Sequence, residues 1–160
     1  LAMVNPVLLE GTDYAVGYGL VSSRLFRIRA RSSTSWISEE LTLPEGEPIS
    51  LWADGAHARV GYADGRVFSA ASRVQLAPVI PTRVEAFTAL CGEGFALTAK
   101  TLYRLTPSSD GGAVGAWTPV DLGAAKLPPL ELARLSRTDR AILVSTAGGV
   151  VARVAVPSCP

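Results

Sequence analysis

Apolar residues in this chain come in short runs that alternate with polar ones, and clusters of Gly, Pro, Ser and Asp separate the runs. That pattern is the signature of strands joined by tight turns. The only stretch of helical length, Gly123 to Arg137, carries Pro128-Pro129 in its middle. Proline lacks the amide donor and clashes with the preceding turn, so no unbroken helix is expected there. The chain reads as all-β.

The runs recur. Ser23 to Ile28, Gly65 to Ala70, Thr101 to Leu105 and Gly149 to Val154 resemble one another. Aligning Leu25, Val67, Leu102 and Val151 gives separations of 42, 35 and 49 residues. A second apolar run precedes each copy, at Tyr14 to Tyr18, Ala58 to Tyr62, Phe95 to Thr98 and Ala141 to Val144, and Gly17-Tyr18 matches Gly61-Tyr62. A third run lies before each pair, at Val4 to Leu9, Pro48 to Ala53, Val84 to Leu90 and Leu130 to Leu135. A fourth follows the first and third copies, at Trp36 to Leu43 and Trp117 to Leu122.

Strands arriving in sets of about four per 42-residue period are the arithmetic of a β-propeller blade. One such sheet cannot bury both faces, whereas neighbours stacked around an axis do so mutually. The expected architecture is about four blades of four antiparallel strands, over residues 3–43, 44–78, 79–123 and 124–156. The alternative is an ordinary antiparallel sandwich or barrel. The fourth period shows no outer strand, and four blades with one unfinished sheet would bare apolar faces. The segment is therefore expected to belong to a larger propeller, completed by more of the same polypeptide, another subunit or a second copy.

Composition narrows the function classes. Fifteen basic and fourteen acidic residues leave a net charge of +1, which removes bulk attraction to nucleic acid or anionic membrane. The longest apolar run, Ala141 to Ala152, is broken by Ser145, Thr146, Gly148 and Gly149, so no membrane-spanning segment is expected. The first residues, Leu1 to Pro6, show neither the basic nor the apolar region of a signal peptide. Thirteen of the fifteen basic residues are arginine, a composition typical of GC-rich bacterial genomes. One histidine and two cysteines cannot form a four-ligand zinc site.

The segment Ser108-Ser109-Asp110-Gly111-Gly112 followed by Trp117 resembles a degenerate Asp box, the Ser-x-Asp-x-Gly-x-x-Trp turn of BNR-type, sialidase-like propellers, with the spacing to tryptophan stretched by two residues. Ser33-Thr34-Ser35-Trp36 occupies the corresponding place in the first period without the Asp and Gly. The runs Ala15 to Tyr18 and Ala58 to Phe68 also resemble blades of bacterial photosynthesis-stability-factor-like propellers. The resemblance implies a structural role for Asp110. The arginine triad and nucleophile of a sialidase have no residue-by-residue counterpart here, so none is carried over.

No catalytic constellation emerges. His57 near Asp54-Gly55 reads as a strand-edge histidine beside an Asx turn, and Glu39-Glu40 and Glu45/Glu47 as solvated edges. Arg27, Arg104 and Arg153 recur once per blade on the face opposite Phe26, Tyr103 and Ala152. Their stems are expected to cover apolar surface while their heads pair with carboxylates. Cys91 follows a first strand and Cys159 a third, ends that share one rim of a propeller, so the two are candidates for a disulfide and hence for an oxidising compartment.

The expected function is a non-catalytic propeller, without cofactor or metal, that binds a protein partner or serves as an assembly scaffold in an extracytoplasmic setting such as the periplasm or cell surface. Candidate contact residues are Glu45, Trp52, Asp64 and Lys100. A sialidase-like carbohydrate-binding or carbohydrate-active protein is the alternative, with Trp52 as the ring available to stack on sugar. A subunit-interface module without a ligand of its own is a third reading.

Overall fold

The computed structural model describes residues 16–32, 35–54, 57–106, 114–122, 134–146, 149 and 151–156, and every regular element within them is a strand. Strands β1 (Val16–Val21), β2 (Arg24–Ser32) and β3 (Ser35–Leu41) form sheet 1. Strands β4 (Pro48–Asp54), β5 (His57–Tyr62), β6 (Val67–Ser69) and β7 (Gln75–Ala77) form sheet 2. Sheet 3 contains β8 (Val84–Leu90), β9 (Glu93–Thr98), β10 (Leu102–Thr106) and β11 (Ala116–Pro119). Sheet 4 contains β12 (Arg134–Arg137), β13 (Ala141–Ser145) and β14 (Val151–Ala155). Each sheet is an antiparallel meander in chain order.

Local chemistry fixes the hairpins. Two residues at positive φ give the mirror-image turn that matches strand twist. Ser22-Ser23 (φ 48° and 62°) and Cys91-Gly92 (φ 53° and 80°) both supply it. Elsewhere threonine closes the turn with its side chain. Thr98 Oγ1 accepts from the Thr101 amide at 3.0 Å, and Thr138 Oγ1 from the Ala141 amide at 3.0 Å.

The core lies in three seams between consecutive sheets. Tyr18, Leu20 and Leu25 of sheet 1 and its turn meet Leu51, Val60, Tyr62 and Phe68 of sheet 2. Val67, Ala77 and Ile80 meet Val84, Phe87 and Ala96. Phe95, Leu97 and Leu102 meet Ile142, Val144 and Val156. The first strands of successive sheets lie side by side, β4 against β8 and β8 against β12. Four meanders packed face to face, with the first strands of sheets 2, 3 and 4 adjacent, are β-propeller blades, as the period implied. Among the described residues no core cluster joins sheet 4 to sheet 1.

One detail of the pattern is corrected. Leu20 pairs with Leu25 and Gly61 with Val67, so the residue equivalent to Gly61 in the first sheet is Leu20, three positions beyond Gly17. The Gly17-Tyr18 and Gly61-Tyr62 match is thus out of register. Tyr18 points forward to sheet 2 and Tyr62 back to sheet 1, and the rings share one core. Sheet 2 completes its expected four strands with β7, for which the pattern offered no apolar run: three residues are too few for two-residue alternation to show. The run Val4 to Leu9, the Asp-box turn at 108–112 and the segment 123–133 lie outside the described residues.

Candidate binding face

Antiparallel meanders send alternate turns to opposite ends. The β1–β2, β5–β6 and β9–β10 turns share an upper rim with the connections between sheets. The β4–β5, β8–β9 and β12–β13 turns and the β6–β7 connection form the lower rim. Three of the four candidate contact residues stand on the upper rim: Glu45 between β3 and β4, Asp64 in the β5–β6 turn and Lys100 in the β9–β10 turn. The fourth does not. Trp52 lies within β4, half-buried in the seam between sheets 2 and 3 and stacked on Phe87 with ring centroids 5.3 Å apart. Phe87 covers one face of its indole. The exposed indole is Trp36 on β3.

The centre of the upper rim is a hydrogen-bonded platform. Its connection passes under Arg66 because residue 46 is glycine: at φ +136°, a Cβ there would lie 2.6 Å from the guanidinium and 2.9 Å from the Tyr62 ring. Arg66 donates to the Glu45 carbonyl at 2.8 Å and to the Asp64 carboxylate at 2.7 Å. Its guanidinium lies 5.1 Å from the centroid of Tyr62, within cation–π range. The Tyr62 hydroxyl donates to the Pro44 carbonyl at 3.0 Å. Burial raises its pKa above 10.0, which keeps the hydroxyl a donor at neutral pH.

Further bonds tie this platform to sheet 3. The Ile80 amide donates to the Asp64 carbonyl (2.8 Å) and the Val84 amide to the Ala63 carbonyl (2.7 Å). Trp117 Nε1 reaches the carbonyls of Gly65 and Pro78, each at 3.1 Å. Arg83 holds Glu47 with two bonds of 2.6 and 2.7 Å, and that donation sets the carboxyl below its usual 4.5. Glu45 and Asp64 are therefore brought together through Arg66. No described contact links Lys100 to either.

An open cleft of about 630 Å³ borders the platform, lined among others by Arg24, Glu40, Leu43, Glu45 and Pro48. Glu40 is bridged by Arg24, whose hydrogen bond lowers its pKa. A carboxylate held ionised by a guanidinium is a poor proton donor. His57 begins β5 at the lower rim, away from this cleft. Among the described residues no group of His, Cys, Asp or Glu is arranged to hold a metal ion.

The recurring arginines follow the expected pairing at two of three positions. Arg27 stands opposite Tyr18 and binds Glu39 at 2.6 Å. Arg104 stands opposite Phe95 and binds Glu93 at 2.6 Å. Arg153 is exposed opposite Leu143, and no described carboxylate holds its guanidinium. What the sequence pattern missed was Arg66 as the organiser. The only local signal was its position two residues after a turn aspartate, the spacing at which an Asx side chain caps a backbone amide.

No family model matches the chain, and no curated protein matches it. Among solved structures it is similar to YCF48 from Cyanidioschyzon merolae, at 12% identity and a TM-score of 0.36 over 94% of this chain and 68% of that one. No described helix is long and apolar enough to cross a membrane.

Proposed function

We propose that this chain is a non-catalytic propeller module that binds another protein or holds an assembly together, and that its blades form part of a larger propeller. The upper-rim platform carries this reading. Loop backbone from three sheets is held in one conformation by Arg66, Asp64, Trp117 and the Arg83–Glu47 pair. A preorganised loop surface loses little entropy when a partner docks, which favours recognition over chemistry. Glu45 is the contact residue at its centre, and an extended peptide suits the open cleft beside it. An oxidising, extracytoplasmic setting fits the disulfide formed by Cys91.

The test is position-specific photo-crosslinking in native extract. A photoreactive residue at position 45 should give a discrete protein adduct, whereas one at position 73 on the lower rim should not. Glu45→Arg, with unchanged melting, should abolish binding of the captured partner. Equal labelling from both rims, or saturable binding on a glycan array, would replace this reading with a carbohydrate-binding one.

A further inference from the structure

Arg27 and Arg104 hold equivalent places in their sheets, but their partners do not. Arg27 pairs with Glu39 on the outer strand of sheet 1, where the carboxylate side chain is 45% exposed. Arg104 pairs instead with Glu93 on the strand before it, and that side chain is only 10% exposed. Register dictates the difference. Arg104 stands opposite Phe95, and Glu93 lies two residues earlier on the same face of β9, a diagonal neighbour within reach of a long side chain. That face meets sheet 4. Between the two sheets opens a cleft of about 230 Å³, lined among others by Glu93, Phe95, Arg104, Thr118, Val120 and Val154. Apolar side chains of the same volume would pack an aliphatic seam at least as well as a buried ion pair. A charged pair in the wall of a cleft therefore points to a ligand.

We propose that this cleft binds a carboxylate bearing a short apolar group, with Arg104 as its anchor. The inference is independent of the protein-binding reading. Glu93 engages the Nε and Nη2 side of the guanidinium. A guanidinium has five donors, and among the described residues no acceptor meets Nη1. The edge formed by Nη1 and the second Nη2 hydrogen can take another carboxylate side-on, the planar two-point contact that arginine favours. Glu93 holds the fork in one orientation, so little freedom is lost when that carboxylate docks. Phe95, Val120 and Val154 supply the wall for a hydrocarbon group. The volume lies below the roughly 300–1,000 Å³ of drug-sized sites, so the ligand is small. Its carboxylate can belong to a free acid or to the C-terminus of a peptide that ends in an apolar residue.

NMR titration of the isotope-labelled chain with hexanoate at pH 7 should shift the amides of β9, β10, β11 and β14 and leave β5 unmoved. Hexanamide has nearly the same shape without the charge and should bind roughly tenfold more weakly or worse. Arg104→Gln should weaken hexanoate binding by a similar factor, whereas Arg27→Gln, which breaks the equivalent pair on sheet 1, should not change it. The comparison of acid with amide needs no variant and decides the point even if Arg104→Gln unfolds. Acetylated Ala-Ala-Leu with a free C-terminus identifies the source. Shifts in the same strands assign the site to chain ends, and hexanoate shifts without them assign it to free acids. Equal affinity for acid and amide, shifts spread over both seams, or no shift at about 10 mM hexanoate would overturn the proposal.

Discussion

The seam between sheets 2 and 3 and the seam between sheets 3 and 4 solve the same packing problem by different means. In the first, Phe87 lies between Trp52 and Trp117, with ring centroids 5.3 and 6.2 Å away. Gly61 lets it approach, since a Cβ there would come within 2.5 Å of the ring. Rim hydrogen bonds from Trp117, Ile80 and Val84 then close the upper edge. The second seam is built of smaller aliphatic side chains from sheet 4, and it keeps a carboxylate, Glu93, with its side chain only 10% exposed against Arg104. Aromatic interlocking gives a seam that stands by itself. Aliphatic packing around a charged pair leaves a cleft of about 230 Å³.

The largest effect expected from that contrast is at Phe87. Phe87→Ala should cost about 3–5 kcal/mol, because the cavity opens among rings that cannot collapse together. Gly61→Val attacks the same contact from the other side by overpacking and should cost about 2–3 kcal/mol. Denaturant melts of both variants and the double mutant check this. The pair should be strongly non-additive, since removing the ring removes the clash. Simple additivity would mean that Gly61 is needed for its backbone alone.

What the sequence disclosed and what it concealed divide along the same line. Val84–Leu90 is readable because seven residues alternate around a turn signal, and the period of the hairpins follows from turn chemistry that is local. The forward-facing positions Leu25, Val67 and Leu102 fell into one alignment for that reason. Trp52 was misplaced because its burial depends on Phe87, a residue of another sheet with no local mark. Gly61 was matched to Gly17 by identity, whereas its role comes from a ring on the next blade. On the rim, Asp64 was legible as a turn residue, but Arg66 was not legible as the group that ties it to Glu45. Pairing across sheets is a tertiary fact, and neither periodicity nor propensity records it.

A smaller effect separates the two seams by charge. Glu93→Gln keeps the shape of the side chain and leaves Arg104 without its anion inside a partly closed cleft. The expected loss is about 1–3 kcal/mol. It should appear first as faster exchange in β13 and β14, with the seam between sheets 2 and 3 unaffected. If Glu93→Gln is neutral while Phe87→Ala is severe, the pair merely fills space, and the aliphatic contacts hold sheet 4 by themselves.

The smallest effect belongs to the exposed ion pairs, and it has a definite sign. Hydrogen bonds from Arg27, Arg24 and Arg83 hold Glu39, Glu40 and Glu47 below their ordinary 4.5. A carboxyl whose pKa is lower in the folded state favours that state above the unfolded value, and the gain disappears as pH falls through the folded one. Melting temperature should therefore hold steady above about pH 5 and decline below about 4.5. Glu47→Gln should lower Tm by about 1–3 °C at pH 7 and by less at pH 3, with 1 M salt shrinking the difference. These pairs lie on sheet 1 and across the connections flanking sheet 2, so acid should loosen the upper rim while the seam between sheets 3 and 4 keeps its exchange protection. Acid-induced opening of β13 and β14 before the β3–β4 connection would reverse the order of strength assigned to the two regions.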